Sequence, residues 1–337
     1  MTEQPARFKS NCVVEQFCAW HVLAKAHPMQ HSRVSSAIIC AVLVLAAPGA
    51  PADTVTLLPV ADTTLYETTP DNNLGGAVQL IAGTTIGNAG QPFRNRALLR
   101  FDVAGRVSAG ATITSVRLTV SMVKAPITPA NSTFELRRLL VSWGEGNKNG
   151  SAGLPATSGE ATWISRFALL PQWAVPGGEP GTDFATNVSD AVFMSSLGSY
   201  TFLSNSNLVA DVQNWLDNTD ANFGWMLLSQ DEATPGTARR FASRESPSNA
   251  PALFIDFAPP PVIVDASLQS TNITFHFTVV AGYDYAVEYA DILPATNWLT
   301  LTNFEAKIAD FEATITNSSQ ADPARFYRLS RVPCNCR

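Results

Sequence analysis

Between residues 53 and 333 the 337-residue sequence has no cysteine, and beyond residue 31 it has a single histidine, His276. Those absences remove Cys/His zinc sites and cysteine nucleophiles from most of the chain. A Ser-His-Asp triad would have to be built on His276 alone. Charge is sparse as well: only 15% of residues are Asp, Glu, Lys or Arg, against about 25% in a typical globular protein. The balance is acidic, 22 basic against 28 acidic residues, which excludes the basic footprint of a nucleic-acid binder.

Long apolar runs are missing too, with one exception. Residues 37–47 (Ala37-Ile38-Ile39-Cys40-Ala41-Val42-Leu43-Val44-Leu45-Ala46-Ala47) are uninterruptedly apolar, yet a bilayer span needs about 20 such residues. Arg33 precedes the run and Ala50-Pro51-Ala52 follows it. This is the plan of a secretory signal peptide, so residues 1–52 are expected to be a leader cleaved near Ala52. Met29 offers a start that fits a short basic n-region better than Met1; the alternative is an uncleaved anchor. The leader holds four basic and two acidic residues, leaving 18 and 26 and a net charge of −8 on an exported chain without a transmembrane helix.

What the chain has in abundance is strand pattern. Successive side chains on a strand face opposite ways. In Arg94–Val103, Ala97, Leu99, Phe101 and Val103 therefore share an apolar face, and Arg96, Leu98, Arg100 and Asp102 lie opposite, predicting a half-buried strand with a basic outer side. Further strands are expected over 54–64, 79–83, 113–123, 134–143, 199–202, 225–229, 240–245 and 252–257. Leu208, Val212, Trp215 and Leu216 recur at helical spacing and predict one short helix. Between Trp143 and Ser199 the pattern stops; an irregular stretch of that length is usually functional or disordered, and Trp163 and Trp173 argue against disorder. Many short strands with one helix predict an all-β fold, a jelly-roll β-sandwich over residues 53–258.

Several segments in order carry a resemblance. They are Asp62–Tyr66 with Asp71-Asn72, Arg96–Asp102, Gly110–Leu118, Trp143 with Glu145, Thr162-Trp163, Trp173 with Pro176-Gly177-Gly178, Asn222–Trp225, Phe241–Glu245 and Pro251–Leu253. Through them the chain resembles the DNRLRE-domain family, related to disaggregatase repeats and to a carbohydrate-binding module family. The resemblance covers residues 54–257 and implies a jelly-roll module on secreted or surface proteins that binds carbohydrate, in some members acidic polysaccharide. Glu179 departs from it, standing where the family often has Asp.

Pro259-Pro260-Pro261 (259–261) is a stiff extended linker. Residues 262–332 alternate again and predict a small fibronectin-like or immunoglobulin-like β-sandwich, similar to C-terminal modules of large secreted bacterial proteins. Residues 333–337 form a tail in which Cys334 and Cys336 are too close for an unstrained bond to each other.

Candidate binding residues follow from their chemistry. Arg96, Arg100 and Arg244 are suited to the carboxylates of an acidic glycan; the alternative is pairing with acids on neighbouring strands, such as Glu135 or Glu245. Trp163 and Trp173 offer faces on which sugars stack; the alternative is that they bury the long loop. Asp62, Asp71, Asn72 and Asp256 offer oxygen ligands for a structural calcium, or satisfy their own backbone. The expectation is a secreted or cell-surface carbohydrate-binding protein without catalytic activity. A structural or adhesive surface component with a protein partner is the alternative, and a polysaccharide lyase or hydrolase ranks last because no marked acid or base set accompanies His276.

Overall fold

A computed structural model describes residues 53–87, 91–269, 272–318 and 325–333. The expected leader, Cys334 and Cys336 lie outside those residues. The fold is all-β, built of antiparallel sandwiches.

Among the described residues thirteen strands precede the proline linker, eleven of them in the layers of the first sandwich. One layer joins β1 (Asp53–Leu57), β13 (Ala252–Ala258), β6 (Thr112–Lys124), β10 (Gly198–Phe202) and β12 (Arg239–Ala242). The other joins β2 (Pro59–Tyr66), β5 (Pro92–Phe101), β11 (Trp225–Ser229), β7 (Ser132–Arg138) and β9 (Asp190–Met194). The strand β4 (Gln79–Ile86) belongs to both: Gln79–Ala82 pair with β12, and Gly83–Ile86 pair with β5. It changes layers at Gly83, whose φ of +96° suits glycine, and where a Cβ would meet the Thr237 carbonyl oxygen at 2.7 Å. A two-stranded ribbon, β3 (Asn72–Asn73) with β8 (Leu154–Pro155), lies apart from the layers.

Between the layers Leu80, Leu99, Phe101, Leu118, Phe134, Phe241 and Leu253 form the main core. The helix α1 (Ser206–Asp217) closes it with Leu208, Val212, Trp215 and Leu216, the four residues whose spacing predicts it. Asn205 caps its start, accepting from the N–H groups of Asn207 and Leu208. Trp215 meets Trp225 edge-on at 4.4 Å.

Four features depart from the sequence expectation. The span 54–64 is two strands: β1 pairs with β13 in one layer and β2 with β5 in the other. The strand expected to run to Trp143 stops at Arg138: the Leu139 N–H still donates to Gly224 in the β7–β11 register, but the Leu140 N–H turns to the Asp183 carbonyl in the insertion. An unexpected strand, β9, returns beside β7. Finally, β5 is not half-exposed: Asn95, Arg96, Ala97, Leu98 and Leu99 are all buried.

The burial of both faces of β5 comes from the irregular stretch. Leu139, Trp143, Ala161, Trp163, Trp173 and Phe184 pack against Ala61, Leu65, Leu98, Met226 and Leu228 as a second core. The insertion is thus an ordered cap, held by its own apolar interior rather than by regular hydrogen bonding.

Beyond the proline linker, β14 (Val264–Gln269), β15 (Asn272–Val279) and β18 (Phe311–Ser318) form one three-stranded sheet, and β17 (Leu299–Phe304), β16 (Tyr283–Ala290) and β19 (Phe326–Pro333) another. Phe275, Phe277, Val279, Tyr285, Val287, Ala313 and Ile315 fill the space between. Arg331 reaches back to the first sandwich, donating to the Ala258 carbonyl at 2.8 Å and to the Thr112 hydroxyl at 3.2 Å.

Candidate functional site

The outer side of β5 carries the arginines that the sequence singles out, and the structure separates them. Arg96 is 7% exposed. Its Nε and Nη2 reach the two carboxylate oxygens of Glu232 at 2.8 and 2.6 Å. Its Nη1 donates to the carbonyls of Gly177 and Gly178 at 2.9 and 3.0 Å, and its guanidinium lies against Trp163 and Phe184. Every direction in which it could meet a glycan is filled by protein. Its partner is Glu232, not Glu135 or Glu245. Arg96 is a tie between strand and cap.

The proposed stacking platform is also inside. Trp163 is 3% exposed and Trp173 4%. Trp173 donates its indole N–H to the Thr162 carbonyl, and Trp143 donates to Phe223. Gly177, at φ +89°, passes so close to the Trp163 ring that a Cβ there would lie 2.5 Å from it. Aromatic residues in an irregular insertion look exposed in sequence because their partners come from distant segments; here they are the insertion's core.

Arg244 stands in a different cluster, with Asp62, Glu145 and Glu245. Asp62 comes from β2, Glu145 from the start of the insertion and Glu245 from the turn after β12. The Arg244 N–H donates to Asp62 Oδ2 at 2.7 Å. Its guanidinium contacts Glu145 Oε1 and Glu245 Oε1, each at 2.8 Å, and the Asp62 N–H donates to Glu145 Oε1 at 2.8 Å. Burial pushes the Asp62 carboxyl up to about 8, opposed by the N–H of Arg244 and reinforced by the negative charges of Glu245 and Glu145. Burial likewise raises Glu145. Arg244 is thus committed to two carboxylates, although its side chain is 38% exposed.

The calcium set expected from sequence does not assemble. Asn72 donates its side-chain N–H to the Ala152 carbonyl, and the Asp71 carbonyl accepts from Ala156. Asp256, on β13 in the other layer, accepts from the Thr54 hydroxyl and lies 3.8 Å from Arg117. Among the described residues Asp62 falls in a group of three acids, but its companions are Glu145 and Glu245, which sequence spacing could not reveal. Glu179 holds the Thr182 hydroxyl.

Arg100 is the one arginine of β5 left open. Its guanidinium lies 5.5 Å from the Trp143 ring, and it makes no ion pair among the described residues. It lines a shallow depression of about 320 Å³ with Val60, Asp102, Thr219 and Asn222. Val60 and Asp102 also border a second depression of about 410 Å³, lined by Thr56, Leu58 and Arg106. Together they make a trough along the crossing from β1 to β2. It holds two basic side chains, the carboxylate of Asp102, and the exposed apolar surfaces of Leu58 and Val60. Arg106 went unnoticed in the sequence, since it sits in a turn outside any strand pattern.

His276 is not part of any such arrangement; it contacts the Thr314 hydroxyl at 2.9 Å and Glu312 at 3.9 Å in the small sandwich. No family model matches this chain and no curated protein matches it.

Proposed function

We propose that the chain is an exported, non-catalytic carbohydrate-binding protein that takes an acidic polysaccharide in the trough bearing Arg100 and Arg106. The observation that carries this reading is Arg100, which lines an open depression and makes no ion pair among the described residues, whereas Arg94 and Arg96 of the same strand pair with Glu67 and Glu232. Guanidinium groups match carboxylates in a bidentate way, and Leu58 and Val60 supply apolar surface for sugar rings. The resemblance to carbohydrate-binding DNRLRE domains supports the same substrate class. The one triad of carboxylates found among the described residues, Asp62, Glu145 and Glu245, is engaged throughout by Arg244, which favours binding over hydrolysis.

The test is retention of the purified protein on immobilised acidic polysaccharides such as alginate or pectate. Retention is expected to weaken with added salt, and Arg100→Ala combined with Arg106→Ala is expected to lower affinity about tenfold or more, given about 1.5–3 kcal/mol for a charged hydrogen bond. Failure to bind any glycan on a broad array would sink the reading. A second reading, a structural or adhesive surface component, is favoured by the burial of all three tryptophans of the insertion. Self-assembly or capture of a protein partner without glycan retention would support it.

A further inference from the structure

Asp62, Glu145 and Glu245 each bring a carboxylate oxygen within 4.8 Å of the others. Each has one oxygen engaged by Arg244 or backbone: Asp62 Oδ2 by the Arg244 N–H, Glu145 Oε1 by the Asp62 N–H and the guanidinium, and Glu245 Oε1 by the guanidinium. The second oxygen of each accepts nothing from the described residues. For Asp62 Oδ1 and Glu245 Oε2 this is costly, since both are sealed from solvent without a donor, and a buried unsatisfied polar atom demands an explanation. Asp62 itself is 1% exposed, so its free oxygen cannot turn to water.

We propose that these three free oxygens ligate one hard divalent cation of the calcium class. Three carboxylates around one guanidinium leave a charge of −2 when ionised, which one such ion cancels. Two oxygens bound to calcium at about 2.4 Å lie at most about 4.8 Å apart, the limit within which one carboxylate oxygen from each of the three residues falls, so the three side chains can converge on a single ion. Arg244 does not compete for it, because the guanidinium takes the opposite oxygens. The partly exposed side chain of Glu145, 19%, leaves room on that side for water to complete the shell. The ion ties β2, the entrance to the cap and the turn after β12, segments 83 and 99 residues apart in sequence along its hydrogen bonds.

The purified protein, stripped with EDTA and returned to neutral pH, is melted with no added ion and with 10 mM calcium, magnesium or manganese. Calcium titration is followed separately by calorimetry. Calcium is expected to bind at one site per chain and to raise the melting temperature by roughly 5–10 °C if present at about 100 times its dissociation constant. Asp62→Asn and Glu245→Gln are expected to lose that rise; should the first not fold, the second carries the comparison. No thermal shift and no heat with any of the three ions would overturn the site. So would a rise that persists in a folded variant, which would place the ion elsewhere. An Asp62→Asn variant as stable as its parent, with neither responding to calcium, would mean that a proton shared by Asp62 and Glu245 balances the cluster, and would overturn it equally.

Discussion

Arg96 and Arg100 lie on the same strand and the same side of it, yet only one is available to a ligand. The alternation of β5 is legible in the sequence, and it correctly sends Ala97, Leu99 and Phe101 to the main core. What alternation cannot show is what covers the other side. Arg96 meets Glu232 and the Gly177 and Gly178 carbonyls, residues more than eighty positions away. Arg96→Ala leaves the carboxylate and both carbonyls without their donor, so a loss of about 3–5 kcal/mol is expected in urea unfolding. Arg96→Lys restores little of it, because a lysine lacks the planar fork. Arg100→Ala is expected to change stability by about 1 kcal/mol or less, the scale of an exposed cation–aromatic contact, while weakening polysaccharide retention. If instead Arg96→Ala unfolds at the parent's urea midpoint, its role as a tie is wrong.

At the scale of elements, most of the long strands and the helix α1 follow from periodicity, whereas the insertion after β7, which holds the unforeseen β9, has none to read. Its order depends on a few apolar anchors and on side chains that hold its backbone. Trp163, 3% exposed between Gly177 and the arginines of β5, is one of the anchors that bridge cap and sheet. Trp163→Ala is expected to cost about 3–5 kcal/mol, with amide exchange rising over residues 160–184 more than in β6. Glu160 holds the backbone from within: it accepts from the N–H groups of Thr157 and Asn147 and pairs with Lys148 at 3.2 Å. Burial alone would raise its carboxyl, but the Thr157 N–H, Lys148 and the Asn147 N–H outweigh that and hold it below the usual 4.5. A carboxyl depressed on folding contributes stability above the unfolded value, and that contribution disappears as pH falls through the folded one. Acid titration of the unfolding midpoint is therefore expected to show a loss of stability beginning near pH 4.5, and Glu160→Gln is expected to flatten part of that slope. An unchanged slope would show that the contacts of Glu160 do not survive in solution.

For the whole molecule, an all-β chain of two sandwiches is legible because alternating strands, a proline linker and a cysteine-free interior all point the same way. The layer assignment is not legible: nothing in residues 54–64 says that the chain passes from one layer to the other at Leu58, or that β4 does so at Gly83. Of the contacts between the sandwiches, Arg331 makes the hydrogen bonds to Ala258 and Thr112. Removing residues 262–337 is therefore expected to lower the melting temperature of the first sandwich by only a few degrees; a collapse of its cooperative transition would show that the two fold as one unit. The strand β4 has a further consequence for how the first sandwich comes apart. Because one strand serves both layers, the hydrogen-bonded ladder is a single folded ribbon rather than two stacked plates. Parting the layers along their hydrogen bonds therefore requires breaking the β4 ladder on one side or the other, Gln79–Ala82 from β12 or Gly83–Ile86 from β5.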